Sequence, residues 1–350
     1  MTANRACLLA SVLGFAVLAA VGVVSGATPL LRGWLVAVLA ILGLPLGALL
    51  LLLTDHLIPR RWPAPLAAIF EAAALTLPVI GVALLPMLAM PQAVWPWADA
   101  SPWPSGWPNE GWLQPPLFTA RALGIVGMLS LFAWGAATRT SGRTRPALAA
   151  LGLVALTLAG TLAAFDWGMS LEPEFRSTVY GLMILTDLTL TGFAFAVPMV
   201  LARQSPAPIP PGPLAAVLLS LVMLWAYLAF CQYLIVWSGD LPHEIGWYLR
   251  RATGGWQAAA WALGIAGTVL FLALLPGRVR HSARALSAVA LAVLVLRAVE
   301  SAWLFIPAWP EGQAFILAAY AGGMAAGGGL WGLGFLRLLA GRPAPEAGHG

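Results

Sequence analysis

Ionisable residues are rare in this 350-residue chain, so their positions are informative. The run AAFDWGMSLEPEFRSTVYG, residues 163–181, gathers Asp166, Glu172, Glu174 and Arg176 around Trp167 and Met169. Asp187 follows in LTDLTLTGF, beside Thr186, Thr189 and Thr191, whose hydroxyls can share hydrogen bonds with it. Arg297 and Glu300 are three residues apart; on a helix they share a face and can pair, which lowers the cost of burying both. Asp55, His56, Glu71 and Glu244 complete the set. The chemistry these residue types share is proton exchange, because carboxyl and imidazole groups bind protons reversibly and pass them over hydrogen-bond distances, directly or through water. Each also has a plainer reading: a static ion pair for Arg297 and Glu300, a hydroxyl-satisfied buried acid for Asp187, interface residues for Asp55 and His56, and an acidic hairpin that docks a partner for 166–174.

Metal and redox chemistry have little to work with. Cys7 and Cys231 lie in apolar runs, and two thiols cannot form a zinc site or an iron–sulfur cluster. A membrane haem is held between histidines inside facing helices, whereas His56, His243, His281 and His349 fall at helix ends, in loops or in the tail. The chain is therefore expected to hold no cofactor or metal of its own, and no nucleic-acid role is suggested.

The elements that position these residues follow from composition. Apolar residues make up 61% of the chain and charged ones 9%, with a mean hydropathy of +0.87; a soluble domain carries about 25% charged residues. The expected fold is an all-α integral membrane protein, a single polytopic domain over 1–350. Segments of about 20 apolar residues occur at 7–25, 34–54, 66–90, 117–138, 147–165, 178–202, 214–238, 256–275, 283–305 and 313–338. The first resembles a signal peptide, but its apolar core is long and no convincing cleavage site follows, so it is kept as a span.

Loop arginines set the expected orientation, because basic short loops stay cytoplasmic. Arg5, Arg60, Arg61, Arg139, Arg143, Arg145, Arg203, Arg278, Arg280, Arg284, Arg337 and Arg342 fall on one side, with both termini and a tail at 339–350; Arg32, Arg121, Arg176, Arg250 and Arg251 fall on the other. The second side also carries Asp99, Glu110, Asp166, Glu172, Glu174, Asp240, Glu244 and Glu311. Residues 91–116 there combine five Trp with many Pro, which excludes a long helix and points to an ordered cap, read either as an aromatic belt or as a docking surface. Residues 237–256, WSGDLPHEIGWYLRRATGGW, read as an amphipathic interfacial turn. In AGGMAAGGGLWGLG the glycines recur at spacings that let helix backbones approach closely, against a neighbour or another subunit.

Placed by depth, the ionisable residues sample the whole membrane. Asp55 and His56 end the second span, and Glu71 lies roughly 8 Å into the third from the same side. Asp187 enters the sixth by roughly 15 Å from the other side, near the midplane. Arg297 and Glu300 sit in the far half of the ninth span, below Asp166 and Glu172. Such a ladder is what proton transfer across a bilayer requires.

FDWGMSLEPEFRST and WAYLAFCQYLIVWSGDLPHEIGWYLRRATGGW, residues 165–178 and 225–256, resemble the F-type membrane subunits of alternative complex III, within the NrfD and polysulfide-reductase membrane-subunit group. The chain lacks the stretch associated with the C-type subunit and its main quinol pocket. Where the family pattern has His-Trp, this chain has Glu174-Phe175; Gln232, Tyr233, Trp237 and Glu244 match the second segment. The resemblance implies two four-helix bundles plus two peripheral helices in a bacterial inner membrane. It also implies a cofactor-free, non-catalytic subunit of a quinol:cytochrome c oxidoreductase, giving scaffold, a quinone contact and a proton path, with Asp166, Glu172 and Glu174 at the outer mouth. Partners would be a C-type paralogue, an iron–sulfur subunit and multihaem cytochrome c subunits, which carry the clusters and haem c. Two rivals remain: the membrane anchor of another NrfD-type oxidoreductase, acting on polysulfide or tetrathionate, and a proton-coupled secondary transporter, for which inverted repeats and broken midplane helices are the expected signature. No internal repeat is evident, and Pro78 and Pro198 stand near expected span ends.

Overall fold

The computed structural model describes residues 2–58, 62–99, 111–138, 144–203 and 209–342. Arg60, Arg61, Arg139, Arg143, Trp103, Trp107, Glu110 and the tail from 343, with His349, lie outside them, as does the side chain of His243. Among the described residues there is no strand, and ten helices are long and apolar enough to cross a membrane. Helices are the expected outcome for these Leu-, Ala- and Val-rich runs, because a backbone without water must satisfy its own hydrogen bonds.

The helices are α1 (Thr2–Ser25), α2 (Ala27–Leu57), α3 (Ala64–Ala74), α4 (Leu77–Ala89), α5 (Pro115–Thr138), α6 (Thr144–Ala163), α7 (Tyr180–Leu201), α8 (Pro211–Gly239), α9 (Pro242–Arg251), α10 (Gly254–Ala273), the single turn α11 (Gly277–Arg280), α12 (Ala283–Phe305) and α13 (Gln313–Ala340). Helix α2 packs on α3 and α4, these on α5, and α5 on α6, which returns to α2 and closes one four-helix bundle. Helices α7, α8, α10 and α12 close a second in the same way, and the α2–α7 contact joins the two. Helices α1 and α13 pair outside both bundles and lean on α2. This is the arrangement of two four-helix bundles with two peripheral helices that the resemblance implies.

Small residues set the close approaches. A methyl group built on Gly47 would lie 2.0 Å from the Leu188 carbonyl oxygen, and one on Gly192 2.8 Å from the Ala48 nitrogen, so α2 and α7 touch backbone to backbone. The glycine run of the last span serves this chain itself. Gly329 faces Ser11 and the Cys7 carbonyl on α1, while Gly323 faces Ala37 on α2.

Two spans depart from single regular helices. The third is broken at Leu75–Thr76, immediately before Pro78, and not at its end; Thr76 Oγ1 donates to the Ala73 carbonyl at 2.6 Å and accepts from Trp331 Nε1 of α13 at 2.6 Å. The fifth runs on from α6 through a π turn (Ala164–Gly168) and a 3₁₀ turn (Met169–Leu171), so it is longer than 147–165. Asp166 and Trp167 lie buried in the π turn, a feature frequent at functional sites.

Within the described part of the tryptophan-rich cap, Trp95 and Trp97 belong to the core, whereas Trp112 is 41% exposed. Trp95 and Trp97 are buried against Phe118, Trp97 Nε1 donates to Ser170 Oγ at 3.1 Å, and Trp309 Nε1 donates to the Val94 carbonyl at 3.0 Å. These side chains form neither an exposed belt nor a docking surface. Residues 242–251 form an amphipathic helix, α9, as the sequence suggested.

If backbone contact holds the bundles together, Gly47→Val should destabilise the detergent-solubilised protein by about 1–3 kcal/mol through overpacking. Gly124→Val, where an added Cβ meets nothing within 4 Å, should leave the thermal midpoint unchanged, and a thermal unfolding series checks both.

Candidate functional site

The deepest charges form one cluster within the second bundle. Arg297 of α12 pairs with Asp187 of α7 at 3.0 Å and, more closely, with Glu300 one turn along its own helix. Its guanidinium lies over the Trp225 ring of α8, 3.9 Å from the centroid, and Trp225 Nε1 donates to Glu300 Oε1 at 3.0 Å. The expected Arg297–Glu300 pair is therefore part of a larger unit that includes Asp187. Thr186, Thr189 and Thr191 do not hydrogen-bond Asp187; Thr189 bonds back to the Leu185 carbonyl. Two carboxyl groups share one guanidinium, so one acid is in excess and can exchange a proton while the other keeps the arginine compensated.

A cavity of about 50 Å³ adjoins this cluster, between α2, the π turn, α7 and α12. Asp187, Glu300, Ser301, Tyr180 and Trp167 are on its wall, and the buried Trp167 Nε1 has no hydrogen-bond partner there. The rest of the wall is apolar, with Leu39, Leu42, Leu46, Met183 and Leu304 among its residues, so polar partners for a water are confined to the side of Asp187, Glu300, Ser301, Tyr180 and Trp167. Tyr180 is buried between two charged regions, with Asp187 on one side and Glu172 and Arg251 on the other within electrostatic reach.

At the tryptophan-rich end the acids are all but locked. Glu172 receives Arg251 Nη2 at 2.6 Å and Arg250 Nε at 2.6 Å, both from α9. Arg251 also donates to the carbonyls of Trp247 at 2.8 Å and Leu304 at 2.6 Å, and stacks over Trp247 at 3.7 Å. Burial pushes the Arg251 guanidinium below its usual value, and the Glu172 carboxylate opposes that shift. Asp166 accepts from Trp112 Nε1 at 2.9 Å and Arg121 Nε at 2.8 Å. Glu174 is different: it is exposed and joins neither cluster. Glu244 lies on the wall of a separate pocket of about 730 Å³ and forms no ion pair among the described residues.

At the arginine-rich end, Glu71 pairs with Arg342 at the end of α13. Asp55 Oδ1 accepts the Trp62 backbone N–H at 3.1 Å, and His56 is buried, with neither ring nitrogen hydrogen-bonded; Arg145 is within electrostatic reach of both. No side-chain hydrogen bond among the described residues joins Glu71 to the Asp187 cluster, or that cluster to Glu172.

Residues that sequence reasoning did not single out now stand beside those it did: Trp225 and Tyr180 at the deep cluster, and Trp112, Arg121, Arg250, Arg251 and Arg342 as partners. The loop reading had placed Arg121, Arg250 and Arg251 on the same side as the acids, which was the available signal. Which arginine meets which acid depends on contacts far apart along the chain, 45 residues for Arg121 and Asp166 and 79 for Arg251 and Glu172. Compared with known proteins, the chain matches no family model and no curated protein. Among the described residues no group of His, Cys, Asp and Glu is arranged to hold a metal ion.

Arg297→Met should cost about 3–5 kcal/mol, because two carboxyls are left buried without their cation. Adding Asp187→Asn and Glu300→Gln should recover most of that loss, read from unfolding in detergent.

Proposed function

We propose that the chain is a cofactor-free membrane subunit of an alternative-complex-III-like quinol:cytochrome c oxidoreductase in a bacterial inner membrane, with both termini cytoplasmic. It would supply scaffold, a quinone contact and a proton path. Electrons would run through iron–sulfur and multihaem cytochrome c subunits, beside a C-type paralogue. The two segments around Asp166 and Gln232 support the family reading, and the two-bundle architecture is compatible with it.

The observation that carries the proton path is the Asp187–Arg297–Glu300 unit beside a cavity on whose wall Asp187, Glu300 and Tyr180 stand. Ionisable groups within membrane helices are costly, face the bundle interior and mark ion or proton routes. Protons would enter past Asp55, His56 and Glu71, load the Asp187–Glu300 pair, and leave through Tyr180 and the cavity towards Glu172 and Asp166. Glu174 and Glu244, at the surface and on the outer pocket, would complete the exit. Glu71, Asp166 and Glu172 are each paired with an arginine, so each of them takes up a proton only by giving up its ion pair, whereas Asp55, Glu174 and Glu244 carry no such cost.

The break at Leu75–Thr76 favours the transporter rival, since transporters bind substrate at broken midplane helices. Here Thr76 is engaged by Ala73 and Trp331 and is on the wall of neither the 50 Å³ cavity nor the 730 Å³ pocket, which argues against a substrate site there. An anchor for another NrfD-type oxidoreductase shares this architecture and differs in its partners.

Gentle purification of the tagged chain from its native membrane, followed by mass spectrometry and a reduced-minus-oxidised haem spectrum, tests the assembly. Co-purifying cytochrome c, an iron–sulfur protein and a ten-helix paralogue are expected; a molybdopterin partner would favour the other anchor, and a lone colourless chain the transporter. In the intact complex, Asp187→Asn should lower protons moved per electron at least twofold while uncoupled quinol oxidation persists, and unchanged stoichiometry would remove the path.

A further inference from the structure

The arginine-rich end of the second bundle carries charge that the fold itself does not balance. Arg203 follows α7 by two residues, Arg278 and Arg280 belong to α11, and Arg284 lies in the first turn of α12. No Asp or Glu occurs from 188 to 239 or from 245 to 299, the stretches that bring α7, α8, α10 and α12 to this end. None of the four guanidinium groups makes an ion pair or a side-chain hydrogen bond with a described residue. Arg280 Nε is even buried without an acceptor. The first bundle differs, because Glu71 answers Arg342 there and Asp55 stands near the end of α2.

One of these arginines stands on a groove. A space of about 470 Å³ runs from Arg203 between α7 and α12, and apart from Arg203 its wall is apolar, with Phe195, Pro198 and Met199 on one side and Leu291 and Leu294 on the other. No carboxylate lies on it. Phe195 packs edge-on against Trp331 and Phe335 of α13, which fixes that side of the wall. Leu291 is 51% exposed, so the groove opens away from the bundle, towards the bilayer. Arg284 precedes Leu291 by seven residues and so shares its face of α12. Phe195 precedes Arg203 by eight, so the apolar wall reaches roughly 10–12 Å beneath the two arginines.

We propose that this groove holds an anionic phospholipid of the phosphatidylglycerol class. Its phosphodiester sits on Arg203, whose planar fork matches two phosphate oxygens, and one acyl chain runs down the groove between α7 and α12. Arg284 and the α11 arginines add to the positive field at headgroup depth, the setting in which basic pockets between membrane helices take up anionic headgroups. A phosphatidylethanolamine would bring an ammonium into a region that already holds four unanswered positive charges. A free phosphate would use Arg203 and leave the apolar wall unfilled. The proposal does not depend on the proton path or on the identity of the assembly.

The test uses the purified full-length protein, in whatever assembly it has, delipidated in mild detergent and offered equimolar phosphatidylglycerol and phosphatidylethanolamine with the same acyl chains. Native mass spectrometry then counts the lipid retained. Phosphatidylglycerol should be preferred at least fivefold, and Arg203→Gln should lower that preference at least threefold. Arg5→Gln, which removes an exposed arginine of α1, should leave it unchanged. Leu291→Trp, which fills the groove and keeps every arginine, should lower retention of phosphatidylglycerol at least twofold; if that variant fails to fold, Arg203→Gln decides. Glycerophosphoglycerol, the headgroup without acyl chains, should not displace the lipid at tenfold excess. Equal retention of the two lipids, wild-type preference in Arg203→Gln, an equal loss in Arg5→Gln, displacement by the soluble headgroup, or release of a protein subunit in place of a lipid by Leu291→Trp would each overturn the proposal.

Discussion

Arg297 is the constraint on which the interior depends. A guanidinium cannot shed its charge, and within an apolar helix bundle it must be matched by anions and donors held in fixed geometry. Asp187 from α7, Glu300 from α12 and the Trp225 ring from α8 meet that demand together. Three of the four helices of the second bundle are thus tied at one point, and their register is set there as much as by apolar packing. The same arrangement creates the chemical possibility, because two acids around one base leave one proton free to move.

The tryptophan-rich end works by a related rule with different materials. Chain segments that are not regular helix survive at membrane depth only when their polar groups find partners in protein. The π turn, residues 91–99 and α9 are held by indole N–H groups on the Val94 carbonyl and the Ser170 hydroxyl and by arginines on Glu172 and Asp166. Trp suits this task because it fills apolar space and still donates one hydrogen bond. Arg suits it because its planar fork satisfies a carboxylate and two carbonyls at once, as Arg251 does. The result is that Asp166 and Glu172 are held inside the fold beside a pocket, while Asp99, Glu174, Asp240 and Glu311 stay on its surface.

Small residues complete the scheme. With hydrocarbon on the outside, helices gain little from hiding apolar surface and associate through close van der Waals contact. Gly47 and Gly192 bring α2 and α7 together, and the α13 glycines seat α1 and α2, so the two bundles and the peripheral pair share the long helix α2 as their common spine. Charge pairing and backbone proximity reinforce each other, since Asp187 stands on α7 one residue before Leu188, whose carbonyl Gly47 meets.

The class of fold was determined by the sequence alone, because hydrophobic length and the absence of water for the backbone leave helices as the solution; ten spans, their approximate limits and the amphipathic α9 were legible for that reason. So was the Arg297–Glu300 pair, which a three-residue helical spacing dictates. The addition of Asp187, the assignment of Arg121 to Asp166 and of Arg250 and Arg251 to Glu172, the broken third span and the burial of Trp95 and Trp97 were decided only in three dimensions. They depend on which helices adjoin and how loops fold back over them, and a one-dimensional pattern of apolar and charged residues carries the depth of each group in the membrane but not its neighbour across the bundle.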